Sequence, residues 1–443
     1  MLVVLLALVG APRTSRASEA AVGEAPAPTT VEEVAGETAK AWVEPVRERA
    51  LFPRLKQALR ELPPFFRDAE IGIRPRTYYL YADDDIDGET RAAWAIGGSI
   101  DVRSGWWRDT LRVEAEFFSS NRLTGDKDRG GTELLKPVQR SFHKLGQANL
   151  KLRRGDHKLT LYRQRIDLPY VNGNDSRMVP NTFEGYSFES VGPTLSAGAG
   201  YLTRIKRRDS DRFIPMSEAA GVDAKRGMAA VGARYTPAET IAAGVFNYYV
   251  PDVLNILYAE AEWRTRIAKR VDVKLGAQFT DQRSVGDDLL TGSAFDTRVG
   301  GARLAVGYRG GIAQAAFSIT SDEERIRSPY GAYPGYVSLM QRDFNRAGEL
   351  AWLLGFTYDL ARLGLPGVTI FTSYAAGVSA EDPLTGASLP DEHEFDLTLD
   401  IRPREGVLRG FWLRLRGSTV EQDGASGSSR QFRVVLNYDF SAL

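Results

Sequence analysis

The chain has 443 residues, of which 57 are basic and 57 acidic, so its formal net charge is +0. This balance argues against a nucleic-acid-binding protein, which would carry a marked excess of Lys and Arg. Cysteine is absent, which excludes disulfides, thiolate metal sites and Cys nucleophiles. Only three histidines are present, so we do not expect a metal site built from histidine.

The chain begins with a segment typical of secreted proteins. Residues 2–11 form a short apolar stretch, and Ser15-Arg16-Ala17 follows as a small-x-small cleavage site. The stretch is too short to span a bilayer, and no later apolar run approaches the roughly 20 residues that a membrane-spanning helix requires. We therefore predict a signal peptide over 1–17, the alternative being a disordered tail, and we exclude a helical membrane protein.

A linker and a short helical extension are predicted over 18–70. Residues 18–30 are rich in Ala and Pro, and a helical pattern follows over 31–62. Its apolar face is formed by Leu51, Leu55, Leu59 and Leu62. Pro45 and Pro53 interrupt this pattern and Pro63-Pro64 end it, which favours two or three short helices over one long helix. Such a segment would suit oligomerisation, a periplasmic partner, part of a plug, or a simple cover for the domain that follows.

From about Ile71 onward, apolar residues recur at every second position, which predicts β-strands with one apolar and one polar face. The alternation is clearest over 110–118, 393–401, 411–416 and 431–440. The longest of these runs exceed the ~5–6 residues usual for strands of soluble proteins. They approach the ~9–11 residues that a tilted membrane-spanning strand requires.

About eighteen strands are predicted, and their connections alternate between short turns and long loops. The strands lie near 72–80, 91–103, 109–118, 145–153, 157–164, 184–190, 193–202, 226–236, 239–249, 256–268, 271–279, 296–308, 311–320, 346–360, 365–376, 390–402, 409–419 and 431–440. Short turns on one rim and long loops on the other are typical of outer-membrane barrels. A composition with 18 Tyr, 20 Phe and 43 Gly is compatible with that class.

These features predict an all-β protein, with a transmembrane antiparallel β-barrel of about 18 strands over 71–443. A barrel of this size encloses an aqueous lumen. Because a charge on the lipid face costs roughly 2–4 kcal/mol at the middle of the bilayer, the charged side chains of these strands are expected to point inward. We therefore predict that the barrel forms a pore.

Four segments, in order along the chain, resemble the OprD family of substrate-selective outer-membrane porins. Residues 74–80 resemble the first strand of that family, and 168–185 resemble its third loop, with a Ser-Arg-x-x-Pro core followed by Phe and Gly. Residues 344–376 resemble the strand, Gly-x-Pro-Gly turn and strand that precede the last hairpins. Residues 431–443 resemble the closing strand. The resemblance extends from about Phe65 to Leu443.

The resemblance implies an 18-stranded, often trimeric channel in the outer membrane of a Gram-negative bacterium, surrounded by lipid and lipopolysaccharide. Members take up small carboxylate-bearing solutes such as amino acids, small peptides or aromatic acids. They guide the carboxylate along a ladder of basic side chains, past a third loop that narrows the pore. A homotrimer is therefore possible here, although the extension over 31–62 is longer than the family's usual N-terminal segment. Porins need no cofactor, so none is expected, and no nucleic acid partner is expected either.

By position, the ladder candidates are Arg76, Arg414, Arg416 and Arg433. Arg presents a rigid fork of donors that matches a carboxylate, and a row of such groups lets an anion move without a deep trap. Because first and last strands are neighbours in a closed barrel, all four are expected on one wall. The alternative is ordinary lumen-facing charge that is balanced by Asp and Glu.

In the third loop, Asp175 and Arg177 match the constriction motif. Arg177 has an alternative role, in which it anchors the loop to the wall through a salt bridge.

An enzyme is not expected. Outer-membrane hydrolases need a His beside a carboxylate or a nucleophile. His157 lies in a short periplasmic turn, His143 ends a long loop and His393 begins a strand, so exposed positions account for all three. The other possibility for the pore is a non-selective general diffusion porin.

Overall fold

A computed structural model describes residues 52–86, 88–268 and 270–442, and in it eighteen long antiparallel strands close into one barrel. This confirms the predicted fold. The predicted signal peptide over 1–17, the linker over 18–30 and the extension up to Leu51 lie outside the described residues.

The strands, in chain order, are β1 (Glu70–Asp84), β2 (Glu89–Arg103), β3 (Leu111–Thr124), β4 (Phe142–Arg154), β5 (His157–Gln164), β6 (Asp167–Leu168), β7 (Val171–Asn172), β8 (Thr182–Val191), β9 (Leu195–Lys206), β10 (Phe213–Pro215), β11 (Met228–Ala238), β12 (Ile241–Val250), β13 (Leu254–Ala268), β14 (Val271–Arg283), β15 (Asp296–Tyr308), β16 (Gly311–Thr320), β17 (Leu350–Asp359), β18 (Val368–Val378), β19 (Glu392–Ile401), β20 (Phe411–Gln422), β21 (Ser428–Tyr438) and β22 (Phe440–Ser441). The short β6, β7, β10 and β22 are additions to the barrel proper. The α-helices are α1 (Pro53–Leu59), α2 (Pro64–Arg67) and α3 (Met216–Ala219), and short 3₁₀ turns lie at Lys127–Arg129, Pro137–Gln139, Leu360–Leu363 and Gly406–Leu408.

The barrel closes where β1 pairs with β21, and this register fixes which lumen residues become neighbours. Arg76 lies opposite Asn437, and Leu80 lies opposite Arg433. Closure leaves no long strand with an unpaired edge, which is how membrane barrels satisfy their backbone in lipid.

The strands present polar side chains to the lumen and apolar ones to the lipid. Along β19, the buried, lumen-facing side chains are Glu392, Glu394, Asp396, Thr398 and Asp400. The intervening Phe395 and Leu397 are 48% and 49% exposed, as a lipid-facing surface requires. Residues 340–342 of a long loop cover Glu392, Glu394 and Asp396, whereas Asp400 is buried against Arg414 of β20.

The long connections lie on the rim opposite the chain termini. They include loop 2 (residues 125–141), loop 3 (165–181), loop 4 (207–227) and loop 7 (321–349). Three connections on the same rim are short, between β1 and β2, β12 and β13, and β20 and β21, so the separation of short turns from long loops is incomplete. The β12–β13 turn is tight because Asp252 adopts a left-handed conformation with φ 64°.

Within the described residues, the segment before the barrel forms two short helices, and the second begins at Pro64, where the sequence predicts the end of the helical pattern. Pro53 begins α1 and Pro64 begins α2, because a proline at the first helical position lacks only an N–H that would be unpaired anyway. Leu55 and Leu62 are exposed. The Phe52 amide donates to the Ala442 carbonyl over 3.1 Å, which places this segment beside the end of the chain. Within the described ranges, no helix is both long and apolar enough to cross a membrane.

Loops 3 and 7 pack against each other inside the barrel. Tyr170 and Tyr330 are fully buried, and the Tyr170 hydroxyl lies 2.8 Å from the Thr280 hydroxyl on the wall. The Ala332 amide donates to the side-chain oxygen of Asn172 over 2.8 Å. Together the two loops narrow the lumen beside the strands β20, β21 and β1.

Candidate functional site: an arginine wall between two loops

The four predicted ladder arginines lie on one wall of the lumen. Arg416 and Arg433 lie directly opposite each other on β20 and β21. Arg414 lies two residues below Arg416, and Arg76 lies on β1 opposite Asn437, one further step toward the chain termini. Two residues of a strand span about 7 Å, so the four guanidiniums lie at three successive levels, or steps, along the wall.

Arg76 is the lowest step, and it holds loop 3 against the wall. Its Nη1 donates to the Asp175 carboxylate over 2.8 Å and to the Arg177 carbonyl over 2.5 Å, while its Nε donates to Asn437 over 2.6 Å. The Arg76 and Asp175 side chains are 5% and 3% exposed. The predicted constriction residue Asp175 therefore binds the ladder rather than facing it across the pore.

Arg414 is paired with a carboxylate of the neighbouring strand. Its Nε and Nη2 donate to the two carboxylate oxygens of Asp400 over 2.6 and 2.5 Å, the parallel geometry that Arg and carboxylate prefer. The guanidinium also lies 4.8 Å from the ring centre of Trp412. This arginine is thus electrically balanced within the wall.

Arg416 and Arg433 differ from the other two, because no carboxylate of the described residues lies within ion-pair distance of either. Arg416 donates through Nε to the Thr398 hydroxyl over 3.1 Å. Arg433 donates to Gln431 over 2.5 Å and to the Met340 carbonyl over 3.0 Å. All three partners are neutral, so the two guanidiniums lie side by side without a carboxylate in direct contact; Asp396 of β19 acts on both from beyond ion-pair distance.

Tyr78 also belongs to this site, although it is not among the residues predicted from the sequence. Its side chain is 3% exposed, and its hydroxyl donates to the Ser176 carbonyl of loop 3 over 3.1 Å. It lies opposite Val435, between the step of Arg76 and that of Arg433. The signal that could have identified it was its position two residues after Arg76, on the same face of β1.

Arg177 points away from the wall and toward loop 2. Its Nε donates to the Thr132 carbonyl over 2.9 Å, and its Nη2 lies 3.5 Å from the Glu133 carboxylate. It therefore anchors loop 3, but to loop 2 rather than to the barrel wall.

Burial dominates the protonation of Asp175. It raises the pKa of the Asp175 carboxyl, and the Arg76 guanidinium opposes this only in part. Burial also pushes up the pKa of Glu133, but there the guanidiniums of Arg208 and Arg177 outweigh it and hold the value below its ordinary range.

Loop 7 is attached to the wall through its backbone. The amide of Gln341 donates to Glu394 over 2.8 Å, and the amide of Arg342 donates to the other oxygen of the same carboxylate over 2.7 Å. The amide of Met340 donates to Asp396 over 3.1 Å. Alternation in β19 identifies both carboxylates as lumen-facing, but nothing in the sequence links them to residues 340–342.

The comparison with known families decides the identity of this chain. The family model described as outer membrane porin, OprD family, matches residues 63–442. The chain belongs to the OprD family. It is therefore a porin of the Gram-negative outer membrane, and its long loops lie on the extracellular rim.

Relatives of this porin span nearly its whole length. Porin D of Pseudomonas aeruginosa is 23% identical over 426 residues, covering 86% of this chain and 93% of that protein. The porin-like protein GalP of Pseudomonas putida is 23% identical over 412 residues, covering 87% of this chain and 95% of that protein. The crystal structure of Pseudomonas aeruginosa OpdK with vanillate matches with a TM-score of 0.75 at 22% identity, covering 85% of this chain and all of that one.

The periplasmic half of this porin's lumen contains a cavity of about 1010 Å³. Charges of both signs line it and largely pair with one another, as Lys151 does with Glu114 over 2.7 Å. Arg165, at the start of loop 3, donates to both oxygens of Glu116 over 2.8 Å. The cavity wall is thus charged but internally balanced, unlike the steps at Arg416 and Arg433.

The three histidines lie apart from this site and from one another. His143 contacts the Ser119 hydroxyl at 3.1 Å, His157 stacks on Phe188, and His393 lies 3.6 Å from Asp423. The relatives of this chain are channels rather than enzymes.

Proposed function

We propose that this porin takes up small carboxylate-bearing solutes, and that Arg416 and Arg433 bind the carboxylate as it passes between loops 3 and 7. The observation that carries the proposal is that these two guanidiniums have only neutral partners, on a wall where the neighbouring arginines are paired with carboxylates. A passing anion supplies the missing charge.

The order of the steps suits a channel, which must bind an ion and then release it. A solute that enters from outside meets Arg433 and Arg416 first, then Arg414 and finally Arg76. The last two already hold Asp400 and Asp175, so the solute has to compete for them. A row of arginines that binds the solute more strongly on the extracellular side than on the periplasmic side does not retain the solute at the periplasmic exit.

The solute class is a small organic acid, aliphatic or aromatic. The OpdK structure contains vanillate, an aromatic carboxylate, which supports the aromatic branch of this class. The alternative is a general diffusion porin, in which the arginines merely balance lumen charge. The inward fold of loops 3 and 7 favours the selective channel. We include in the proposal assembly as a homotrimer, which light scattering of the purified protein in detergent would test.

Single-channel recording in planar bilayers tests this proposal. The variant Arg416→Gln/Arg433→Gln removes both uncompensated charges, and Arg430→Gln/Arg362→Gln removes two exposed ones as a matched control. Benzoate, vanillate and an aliphatic amino acid are added in turn to each channel. We expect benzoate or vanillate to block the wild-type channel and the control alike, and to bind the ladder variant about tenfold or more weakly, because a hydrogen bond to a charged group contributes ~1.5–3 kcal/mol.

The competing function makes a different prediction. A general diffusion porin would show a large ohmic conductance that neither the carboxylates nor the ladder substitutions change. That result would replace the selective channel with the diffusion porin.

A further inference from the structure

The outer surface of the barrel carries charged side chains near the extracellular ends of β5, β8 and β9. Arg163, Glu184 and Arg204 are register partners on these adjacent strands. The row continues through Ala148 of β4 to Ala115 of β3. In β3 and β4 the lumen-facing neighbours of these alanines are Glu116 and Gln147, which bond to each other, so the row lies on the lipid-facing side.

This row has an excess of positive charge. Arg163 lies 2.9 Å and Arg204 3.7 Å from the single carboxylate of Glu184. The Arg204 side chain is 56% exposed. A charge on the lipid face costs little only near the headgroups, where the penalty falls to roughly 0–1 kcal/mol. Arg163, Glu184 and Arg204 each lie within three residues of the extracellular end of their strand, which therefore places these charges at the level of the extracellular headgroups.

Further basic side chains lie next to this row. The Phe213 ring lies 4.4 Å from the Arg163 guanidinium and 5.6 Å from the Lys144 ammonium. Just beyond Phe213, between loops 2 and 4, lies a cleft of about 410 Å³. The charged residues that line the cleft are Lys136, Arg140, Arg207, Asp209, Asp211 and Arg212.

Both acidic residues of the cleft are already paired with basic side chains. Lys136 pairs with Asp211 over 2.6 Å, and Arg207 lies 3.9 Å from Asp209. Arg140 and Arg212 form no ion pair with any residue that the structure describes. We call the basic side chains of the row, of the cleft and beside Phe213 the rim patch: Lys136, Arg140, Lys144, Arg163, Arg204, Arg207 and Arg212.

We propose that the rim patch is a binding site for the phosphate groups of a phosphorylated glycolipid in the outer leaflet. The patch faces the layer in which such headgroups lie. Its arginines supply the forked donors that match phosphate oxygens. The apolar Phe213, together with the exposed Tyr162 and Tyr186 below it, offers contacts to the acyl chains and sugar faces of a lipid, which a soluble anion would not use.

The test compares lipid A binding to the full-length mature protein in detergent, by displacement of a fluorescent lipid A. The patch variant is Arg140→Gln/Arg163→Gln/Arg204→Gln/Arg212→Gln. The matched control is Arg108→Gln/Arg154→Gln/Arg362→Gln/Arg404→Gln, which removes the same charge at the periplasmic rim. We expect the patch variant to bind lipid A at least about tenfold more weakly and the control to bind it like the wild type. Heat-modifiable migration on gels verifies that each variant folds.

Two further arms identify the source of the phosphate. Dephosphorylated lipid A should bind the wild type as weakly as lipid A binds the patch variant. Millimolar inorganic phosphate should fail to displace lipid A. Equal binding of lipid A by the wild type and the folded patch variant would overturn the site, and full displacement by inorganic phosphate would make it a site for a free anion instead. Loss of carboxylate selectivity would affect neither result, since the patch shares no residue with the arginine wall.

Discussion

Loops 3 and 7 fold into the barrel beside the same arginine wall, but different chemistry holds each of them. Loop 3 is held by the side-chain ion pair between Asp175 and Arg76. Loop 7 is held by three successive backbone amides, which donate to Glu394 and Asp396. Beside the arginine wall, the charged contact of loop 3 is therefore made by a loop side chain, whereas that of loop 7 is made by loop backbone amides to carboxylates of the wall. Away from this wall, Arg165 and Tyr170 also attach loop 3 to the barrel.

This difference has a consequence for transport. Under the function proposed above, a solute carboxylate is chemically equivalent to Asp175 and competes for Arg76. It cannot replace Glu394, because the groups that Glu394 binds are main-chain amides of loop 7. We expect the solute to displace loop 3 transiently and to leave loop 7 in place.

Removing the Arg76 side chain should have the largest effect on single-channel conductance. In Arg76→Met the buried Asp175 carboxyl loses its cation, and breaking a buried ion pair from one side costs about 3–5 kcal/mol. Such a cost shifts the equilibrium between packed and released loop 3 by more than about 100-fold. Single-channel conductance should rise and become noisy.

Arg76→Lys is the control for charge. It retains the cation but loses the fork that also binds the Arg177 carbonyl and Asn437, so its conductance should lie between those of the wild type and Arg76→Met. A wild-type conductance in Arg76→Met would show that the ion pair does not hold loop 3.

Glu394→Gln should have the next largest effect. Glutamine keeps the shape of the side chain, but it offers one acceptor oxygen where the carboxylate serves two amides. The loss is one hydrogen bond to a charged group, worth ~1.5–3 kcal/mol. Closed-to-open fluctuations should become about tenfold more frequent in bilayer recordings. If instead the fluctuations match those of the wild type, loop 7 has another anchor.

A substitution on the loop side of the same attachment should have little effect. Arg342→Ala removes an ion pair with Glu392, at 3.4 Å, but keeps the amide that donates to Glu394. We expect conductance fluctuations within about twofold of the wild type, since partly exposed ion pairs contribute ~0–1 kcal/mol. Asp175→Ala, the equivalent change in loop 3, should release that loop. Equal effects of the two substitutions would remove the distinction between the loops.

The sequence predicted the barrel well because the lipid imposes a strict alternation on each strand. The predicted strands 296–308 and 311–320 coincide with β15 and β16. The convergence of the four arginines also followed, because alternation assigns the face and closure makes β1 and β21 neighbours.

The partners of those arginines could not be predicted. Whether an arginine binds Asp400, Asp175 or only neutral groups depends on the register of strands and on loops whose paths alternation does not specify. The three amide contacts of loop 7 have no side-chain signature, since any residue other than proline supplies a backbone amide. The motif predicts that Arg177 lies in the constriction, but it does not predict the contact of Arg177 with loop 2, because that contact depends on how the two loops pack.

The pH dependence of loop 3 should be the smallest effect, and its sign is informative. Burial raises the pKa of the Asp175 carboxyl despite Arg76, so packed loop 3 holds the proton more readily than released loop 3, in which the carboxyl is solvated. Protonation therefore favours the packed state. The stabilisation of packed loop 3 by this proton is complete below pH 3.8, the ordinary pKa of the carboxyl, and is lost as the pH rises through the raised pKa.

Lowering the pH from neutral toward the raised pKa should make openings of loop 3 rarer in single-channel recordings, and Asp175→Asn should abolish this pH dependence. Openings that become more frequent in acid, in the wild type and not in Asp175→Asn, would mean that the charge of the pair outweighs its burial.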